Sequence, residues 1–567
     1  MAAFIALLWL ASFSGWQDRW VSLFLIADPL VSLVHTLAGR VLVPALVVSL
    51  VMVAIAVAMG TVFCSHACPM GTFFDVSDRL FRRVPRARPN REKYAPARKV
   101  KFAVLVVILS AALFGFNLLG LADPIVMFTR FCAVLFYPAL MVLGDLGLFA
   151  ARPVAEWLGW LDLQYTQLIL PAFEGAVALG VILVSLVVLG KMQQRFWCRH
   201  LCPLGALLGL LGAKAPYRRR VSDKCTGCNT CTRLCPTGAI HDKGREYDRS
   251  ECIDCLDCTR NCPEGAVSFG FGKAAVEQAR SGHLPGRRLL LRSAAGGALG
   301  AALLRADMLH PSGAFLPLPL RNGRLIRPPG ALPEPEFLAR CTRCGECMRA
   351  CLTNTIQPDW YRAGFEGLWA PHLAMRHAAC EQTCNVCGLV CPTGAIRPLS
   401  LKEKQHAKIG TAVIKRDRCL PWSQDHRCLI CDEQCPYNAI VFRHDERHTV
   451  GLPVVNPKRC NGCGQCEDKC PVIGESAIVV VPQGELRLST GSYVEEAKAL
   501  GLVFEAKKGK FQDEFLLEGE RKRPGRPAGQ NGSGFSGEPS DLPAGIDEGV
   551  EQRKPSGLPP GIDDGGQ

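Results

Sequence analysis

The chain has 567 residues, 29 cysteines and a formal charge of +14. That length exceeds one ordinary domain. The charge does not mark a nucleic-acid binder. Ten basic residues crowd between Arg79 and Lys101 and seven between Lys191 and Arg220, each block beside an apolar run and without any stacking or groove-reading motif.

In chain order, Ala2 to Trp16 is apolar but short, and reads as a tilted first span or one whose start lies upstream. Val41 to Gly60 and Phe102 to Leu121 carry no charge over twenty residues each, and Leu168 to Gly190 is longer, with Glu174 near its start. Each is long enough to cross about 30 Å of hydrocarbon as a helix. Phe131 to Ala150 is apolar but holds Pro138 and Asp145. If both basic blocks are cytoplasmic, an even number of crossings separates them. Phe131 to Ala150 is the weakest of the three intervening runs and is expected to be interfacial or re-entrant. The expectation is four spans over residues 1–214, with the cysteine pairs at the cytoplasmic ends. The alternative is that every run crosses and the basic bias misleads.

An internal repeat runs through this region. "ADPLVSL" at 27–33 precedes the span that ends in "FCSHACPMG" at 63–71, and "ADPIVMF" at 122–128 begins the stretch that ends in "FWCRHLCPLGA" at 196–206. A duplicated half implies a pseudo-twofold axis that draws Cys64, Cys68, Cys198 and Cys202 together. Four thiolates suit an iron–sulfur cluster, zinc or Cu(I). His66 and His200 stand at matched positions to tune that site or accept protons. A redox dithiol pair, or cysteines that only pack helices, are the competing readings. Asp28 and Asp123 are candidates for a quinone or proton path, and equally for helix N-caps.

The next cysteines have the two-cluster bacterial ferredoxin spacing. "CTGCNTCTRLCP" supplies Cys225, Cys228, Cys231 and Cys235, and "CIDCLDCTRNCP" supplies Cys252, Cys255, Cys258 and Cys262. In this pattern the fourth cysteine of each run serves the other cube. One cluster therefore takes Cys225, Cys228, Cys231 and Cys262, and the other Cys252, Cys255, Cys258 and Cys235. Four thiolates also suit structural zinc. These groups define a two-cluster domain at 215–272.

Four more groups fall within 330–500. They are Cys341, Cys344, Cys347 and Cys351; Cys380, Cys384, Cys387 and Cys391; Cys419, Cys428, Cys431 and Cys435; and Cys460, Cys463, Cys466 and Cys470. Two have the compact spacing and two have a displaced first cysteine, and the spacing leaves open which groups exchange ligands. Cys351 alone is followed by Leu352 rather than proline. Six groups make six 4Fe-4S clusters, with one further cluster at the membrane cysteines. Cys132 remains as a buried packing residue.

"GRRLLLRSAAGGALGAALLRAD", spanning 286–307, has the arginine pair and Ala/Gly/Leu stretch of a twin-arginine export signal, or of a membrane anchor if uncleaved. A basic linker with a short core helix is the alternative. Export of a folded protein reconciles sixteen cluster cysteines with an oxidising compartment. From Glu518 to residue 567 the chain is Gly, Pro and charge, with "LPAGIDEG" and "LPPGIDDG" repeated, and is expected to be disordered.

On the Asp-Pro motifs, the two Cys-x3-Cys-Pro motifs, "WCRHLCPLGA" and the paired ferredoxin groups, residues 1–272 resemble the membrane ferredoxins NapH and MauN. The same membrane core occurs in NosR and CcoG/RdxA. Residues 287 to about 500 resemble the exported ferredoxins NapG and MauM. The resemblance implies a fusion of the two: an α-helical membrane domain, α+β ferredoxin-like 4Fe-4S domains and a location in the bacterial inner membrane with ferredoxin domains on both faces. It implies a membrane-bound carrier that passes electrons from the quinone pool to a periplasmic redox partner, as a component of a quinol dehydrogenase. An assembly factor or metal reductase serving a respiratory metalloenzyme is the alternative.

Overall fold

The computed structural model describes residues 22–42, 44–80, 96–160, 165–166, 168, 170–272, 286–305, 325–360 and 362–504. The Ala2 to Trp16 run, most of the first basic block and the tail from Glu518 lie outside them.

The apolar runs form shorter helices than their length predicts, for local reasons. Pro44 opens a 3-10 turn, Pro44–Val48, so the α-helix of that run is only Ser49–Met59. The Val100–Leu113 helix stops before Gly115, whose φ is 87°. Ala176–Met192 starts only after Pro171 and a left-handed Gly175. In contrast, one continuous helix, Pro124–Leu158, is by length and composition long and apolar enough to cross a membrane. It contains the Phe131 to Ala150 run, which sequence reading set aside as non-crossing. Pro138 does not break it because a π-helical turn, Cys132–Phe136, absorbs the lost N–H.

The Arg287–Arg305 helix lies along Val100–Leu113. Ser293, Gly297 and Ala301, four residues apart, are buried. A Cβ on Gly297 would lie 1.9 Å from Ser110 Oγ and 2.8 Å from the Val107 carbonyl. Ala301 packs with Ala111 and Phe116. The two helices therefore run parallel, with small residues letting the backbones approach.

The ferredoxin modules are nested antiparallel hairpins. In the first, Tyr217–Val221 pairs with Val267–Phe271 around the inner pair Ile240–His241 and Glu246–Tyr247. Residues 411–481 repeat the plan: Thr411–Ile414 pairs with Ile478–Val481 around Ile440–Arg443 and Leu452–Val455. Between 331 and 396 the inner pair is Ile356–Pro358 with Pro371–Leu373, and the outer pair shrinks to the bridge Ala331 to Ile396.

The two modules dock on opposite ends of the helices. The first meets the end holding Met59, Thr61 and Lys101. Arg249 donates to the Met59 carbonyl at 2.8 Å, Thr61 donates to the Cys252 carbonyl, and Lys101 pairs with Glu251 at 2.8 Å. The second meets the other end. His35 Nε2 lies 2.6 Å from the Arg340 carbonyl, and Asn117 donates to the Ala339 and Cys341 carbonyls at 3.2 Å each. Arg130 donates to the Arg343 carbonyl at 2.8 Å, and Asn354 and Gln357 donate to the Ala172 carbonyl.

Candidate metal centres

The chain brings the ferredoxin cysteines into six sets of four. Cys225, Cys228, Cys231 and Cys262 line one concavity, and Cys235 sits with Cys252, Cys255 and Cys258. In the C-terminal module the fourth ligand is also exchanged. Cys391 joins Cys341, Cys344 and Cys347, and Cys351 joins Cys380, Cys384 and Cys387. Cys435 joins Cys460, Cys463 and Cys466, and Cys470 joins Cys419, Cys428 and Cys431. All three pairs of sets thus exchange their fourth cysteine.

The backbone fits an anionic cage. In the four compact groups the residues flanking the second cysteine are both left-handed: Gly227 and Asn229, Asp254 and Leu256, Arg343 and Gly345, Gly462 and Gly464. Left-handed turns of this kind aim successive N–H groups into a concavity, the nest that cradles anions. After five of the six fourth cysteines the third residue is also left-handed: Gly238, Gly265, Asn354, Gly394 and Asn438. Its turn brings the N–H of Ala239, Ala266 and Ala439 to 3.3 Å from the sulfurs of Cys235, Cys262 and Cys435. Only glycine and asparagine occupy this position, because most side chains are strained there.

Burial favours the protonated thiol at several of these cysteines. Burial pushes Cys463 up to about 12, with Cys460 and Cys435 pushing the same way. Burial also pushes Cys431 up to about 12, with Cys419 and Cys428 adding to it. Iron would displace those protons and bind the thiolates. Four convergent thiols beside inward-aimed N–H groups fit a 4Fe-4S cage.

Cys64, Cys68, Cys198 and Cys202 also converge, each within electrostatic reach of others in the set. The two halves build matching cradles. The Phe63 carbonyl accepts from Ala67 and Cys68, and the Trp197 carbonyl from Leu201 and Cys202. Pro69–Leu80 and Pro203–Leu211 then start directly after Cys68 and Cys202. The Gly205 N–H donates to Cys202 Sγ at 3.2 Å, and Gly71 makes the same bond to Cys68. The histidines break the symmetry. His66 is exposed and bonded to Ser65 at 2.6 Å, whereas His200 is buried and paired with Gln193 at 2.7 Å. Asp28 and Asp123 are N-caps, each bonding two backbone N–H groups. Cys132 is a packing residue in the main core.

Several residues at these centres carry no cysteine signal. Thr237 and Thr353 place hydroxyls 3.6 Å from Cys235 and Cys351, and Thr393 places one 4.0 Å from Cys391. Each follows its cysteine by two residues, so "CPT" or "CLT" was the available sign. Arg219, almost fully buried, reaches Cys231 at 3.6 Å and also bonds Cys258, standing between the first two sets. The Cys380 N–H donates to the Cys463 carbonyl at 2.9 Å, which joins the two C-terminal pairs of sets edge to edge.

Comparison with known proteins agrees with this geometry. A 4Fe-4S binding domain model matches residues 41–88 and 172–222, the two cysteine-bearing halves of the repeat. Models of a 4Fe-4S dicluster domain match residues 218–269 and 426–473. The ferredoxin-type protein MauM of methylamine utilisation from Methylophilus methylotrophus is 37% identical over 190 residues, which are 32% of this chain and 80% of that protein. The ferredoxin-type protein NapG of Escherichia coli (strain K12) is 34% identical over 220 residues, 35% of this chain and 89% of that protein. NapF of the same organism is 33% identical over 148 residues, 26% of this chain and 80% of that protein. With its cysteine sets and these relatives together, the chain belongs to the MauM/NapG family of ferredoxin-type proteins, iron–sulfur carriers of electrons.

Proposed function

We propose that this chain fuses a NapH-like membrane ferredoxin to a NapG-like one and carries electrons from quinol, across the inner membrane, to a periplasmic redox protein. The carrying observation is the docking of the two ferredoxin modules on opposite ends of one helical bundle. The four-span topology, with the basic loops cytoplasmic, accords with that docking, because Met59 and Lys101 fall at one end and Asn117 and Ala172 at the other. Arg287–Arg305 parallels Val100–Leu113 and so leads from the first end to the second, as an uncleaved anchor would.

Each 4Fe-4S cluster supplies one-electron transfer. The six sets and the four converging membrane cysteines would hold seven clusters in all. Cys64 lies within reach of Asp254 in the first module, and Cys202 shares a packed core with Cys344 of the second. On this reading the membrane thiols would relay electrons between the two. Within the C-terminal module the set containing Cys341 abuts the membrane domain, and the set containing Cys419 is flanked by the exposed His426 and Arg427. On this reading electrons would enter the C-terminal module at the Cys341 set and leave it at the Cys419 set.

The test is anaerobic addition of a reduced menaquinol analogue to the purified chain in detergent, followed by EPR. Reduced-cluster signals are expected within a turnover-relevant time. Reduction by dithionite but not by quinol would end the quinol reading and favour a cytoplasmic donor or an assembly role.

A further inference from the structure

Asp28 and Asp123 open matched helices in the two halves of the repeat, and both are fully buried. One oxygen of each is committed to capping. Asp28 Oδ1 accepts from Leu30 at 2.8 Å, and Asp123 Oδ1 accepts from Ile125 at 2.9 Å. The second oxygen of each has no donor from another residue among the described ones. The two side chains instead bond to each other. Two carboxyl oxygens can bond only if one carries a proton, and two buried carboxylates in contact repel strongly. Arg130 bonds the Gly120 and Arg343 carbonyls, Arg343 the Asn117 carbonyl, and Lys101 pairs with Glu251. His35, on the same helix as the Asp28 cap, bridges the Val31 and Arg340 carbonyls.

We propose that Asp28 and Asp123 share one proton at rest and would take up a second as an electron enters the iron–sulfur cluster that Cys64, Cys68, Cys198 and Cys202 would hold, which would make the pair a redox-linked proton site. The resting proton follows from this geometry alone. The second rests on the functional reading above. Leu30 and Val126, beside the two aspartates, share one packed core with Cys202. An electron on a cluster held by those four thiolates would add negative charge to that core, and the remaining carboxylate would answer by binding one proton. One O–H bond forms, no other bond in the pair changes, and uptake stops at one. A quinol releases two electrons and two protons. The pair accepts one proton and water takes the other.

Infrared spectroscopy of the full chain in nanodiscs, resting and dithionite-reduced, in H2O and D2O, tests this. The resting protein should show a protonated-carboxyl band that shifts in D2O. Asp28→Asn and Asp123→Asn should each abolish it, because an amide bonds a carboxylate without an added proton, and asparagine still caps. Iron content equal to the parent certifies that both variants fold. Reduction should about double the band in the parent and leave it unchanged in the Cys64→Ser, Cys68→Ser, Cys198→Ser, Cys202→Ser variant. A resting protein without the band, or a band that survives both aspartate variants, overturns the shared proton. A band indifferent to reduction, or one that grows without the four cysteines, overturns the uptake. Dithionite replaces quinol throughout, so a chain unable to oxidise quinol still gives an answer.

Discussion

A hydroxyl beside a cluster thiolate stabilises the electron-rich reduced state. Thr237, buried with its hydroxyl 3.6 Å from Cys235 Sγ, would do this at a cluster there. Thr237→Val should lower the potential of the cluster on Cys252, Cys255, Cys258 and Cys235 by about 20–40 mV, the equivalent of about 0.5–1 kcal/mol. Thr237→Ser should restore it, and EPR-monitored redox titration reads both. The cysteines themselves were legible, because a thiolate ligand must be a cysteine and the spacing of a cage is rigid. The threonines were not, since a hydroxyl two residues on has many other uses. Asp28 and Asp123 were legible as caps from the Asp-Pro pairs, but the contact between them depends on packing that no local pattern encodes.

Helix lengths were the least legible feature. A hydropathy run records how apolar a stretch is, not where its backbone hydrogen bonds stop. Pro44 and Gly175 shorten two runs from their N-terminal ends, and a π-helical turn lets the Phe131 to Ala150 run continue past Pro138. The small-residue face of Arg287–Arg305 was visible in "SAAGGALGAA" only as composition, and its partner helix gave it a role. Gly297→Leu should overpack that contact and cost about 1–3 kcal/mol. Gly296→Leu should cost little, because a Cβ there meets nothing within 4 Å. Thermal unfolding in detergent should rank the two variants in that order.

For the whole molecule, docking of the second ferredoxin module rests on buried polar contacts as well as on a short tether. Asn117 is fully buried and satisfies two carbonyls of that module. With a protease site engineered between residues 306 and 324 and then cut, the C-terminal part should stay with the membrane part. Asn117→Ala should weaken that hold by about 2–3 kcal/mol, or about 30–150-fold. Co-sedimentation with proteoliposomes measures it. Iron analysis addresses the membrane thiols. Replacing Cys64, Cys68, Cys198 and Cys202 with serine should remove about four irons per chain. Unchanged iron would leave those cysteines as a dithiol pair or as packing.

The exchanged fourth cysteines also govern how the protein is made. As the chain leaves the ribosome, the cage on Cys380 is complete at Cys387 and the cage on Cys341 only at Cys391. Nothing further can close until Cys466, and then Cys470 follows within four residues. Maturation of this module is therefore stepwise in pairs. Chains truncated anywhere between residues 392 and 465 should bind the same amount of iron, and about eight irons more should appear once residue 470 is included. A nascent chain stalled in that window would present up to six waiting thiols, from Cys419 to Cys435 and at Cys460 and Cys463, with no cage to hold, and so an interval in which cluster-loading factors must find it before oxidants do.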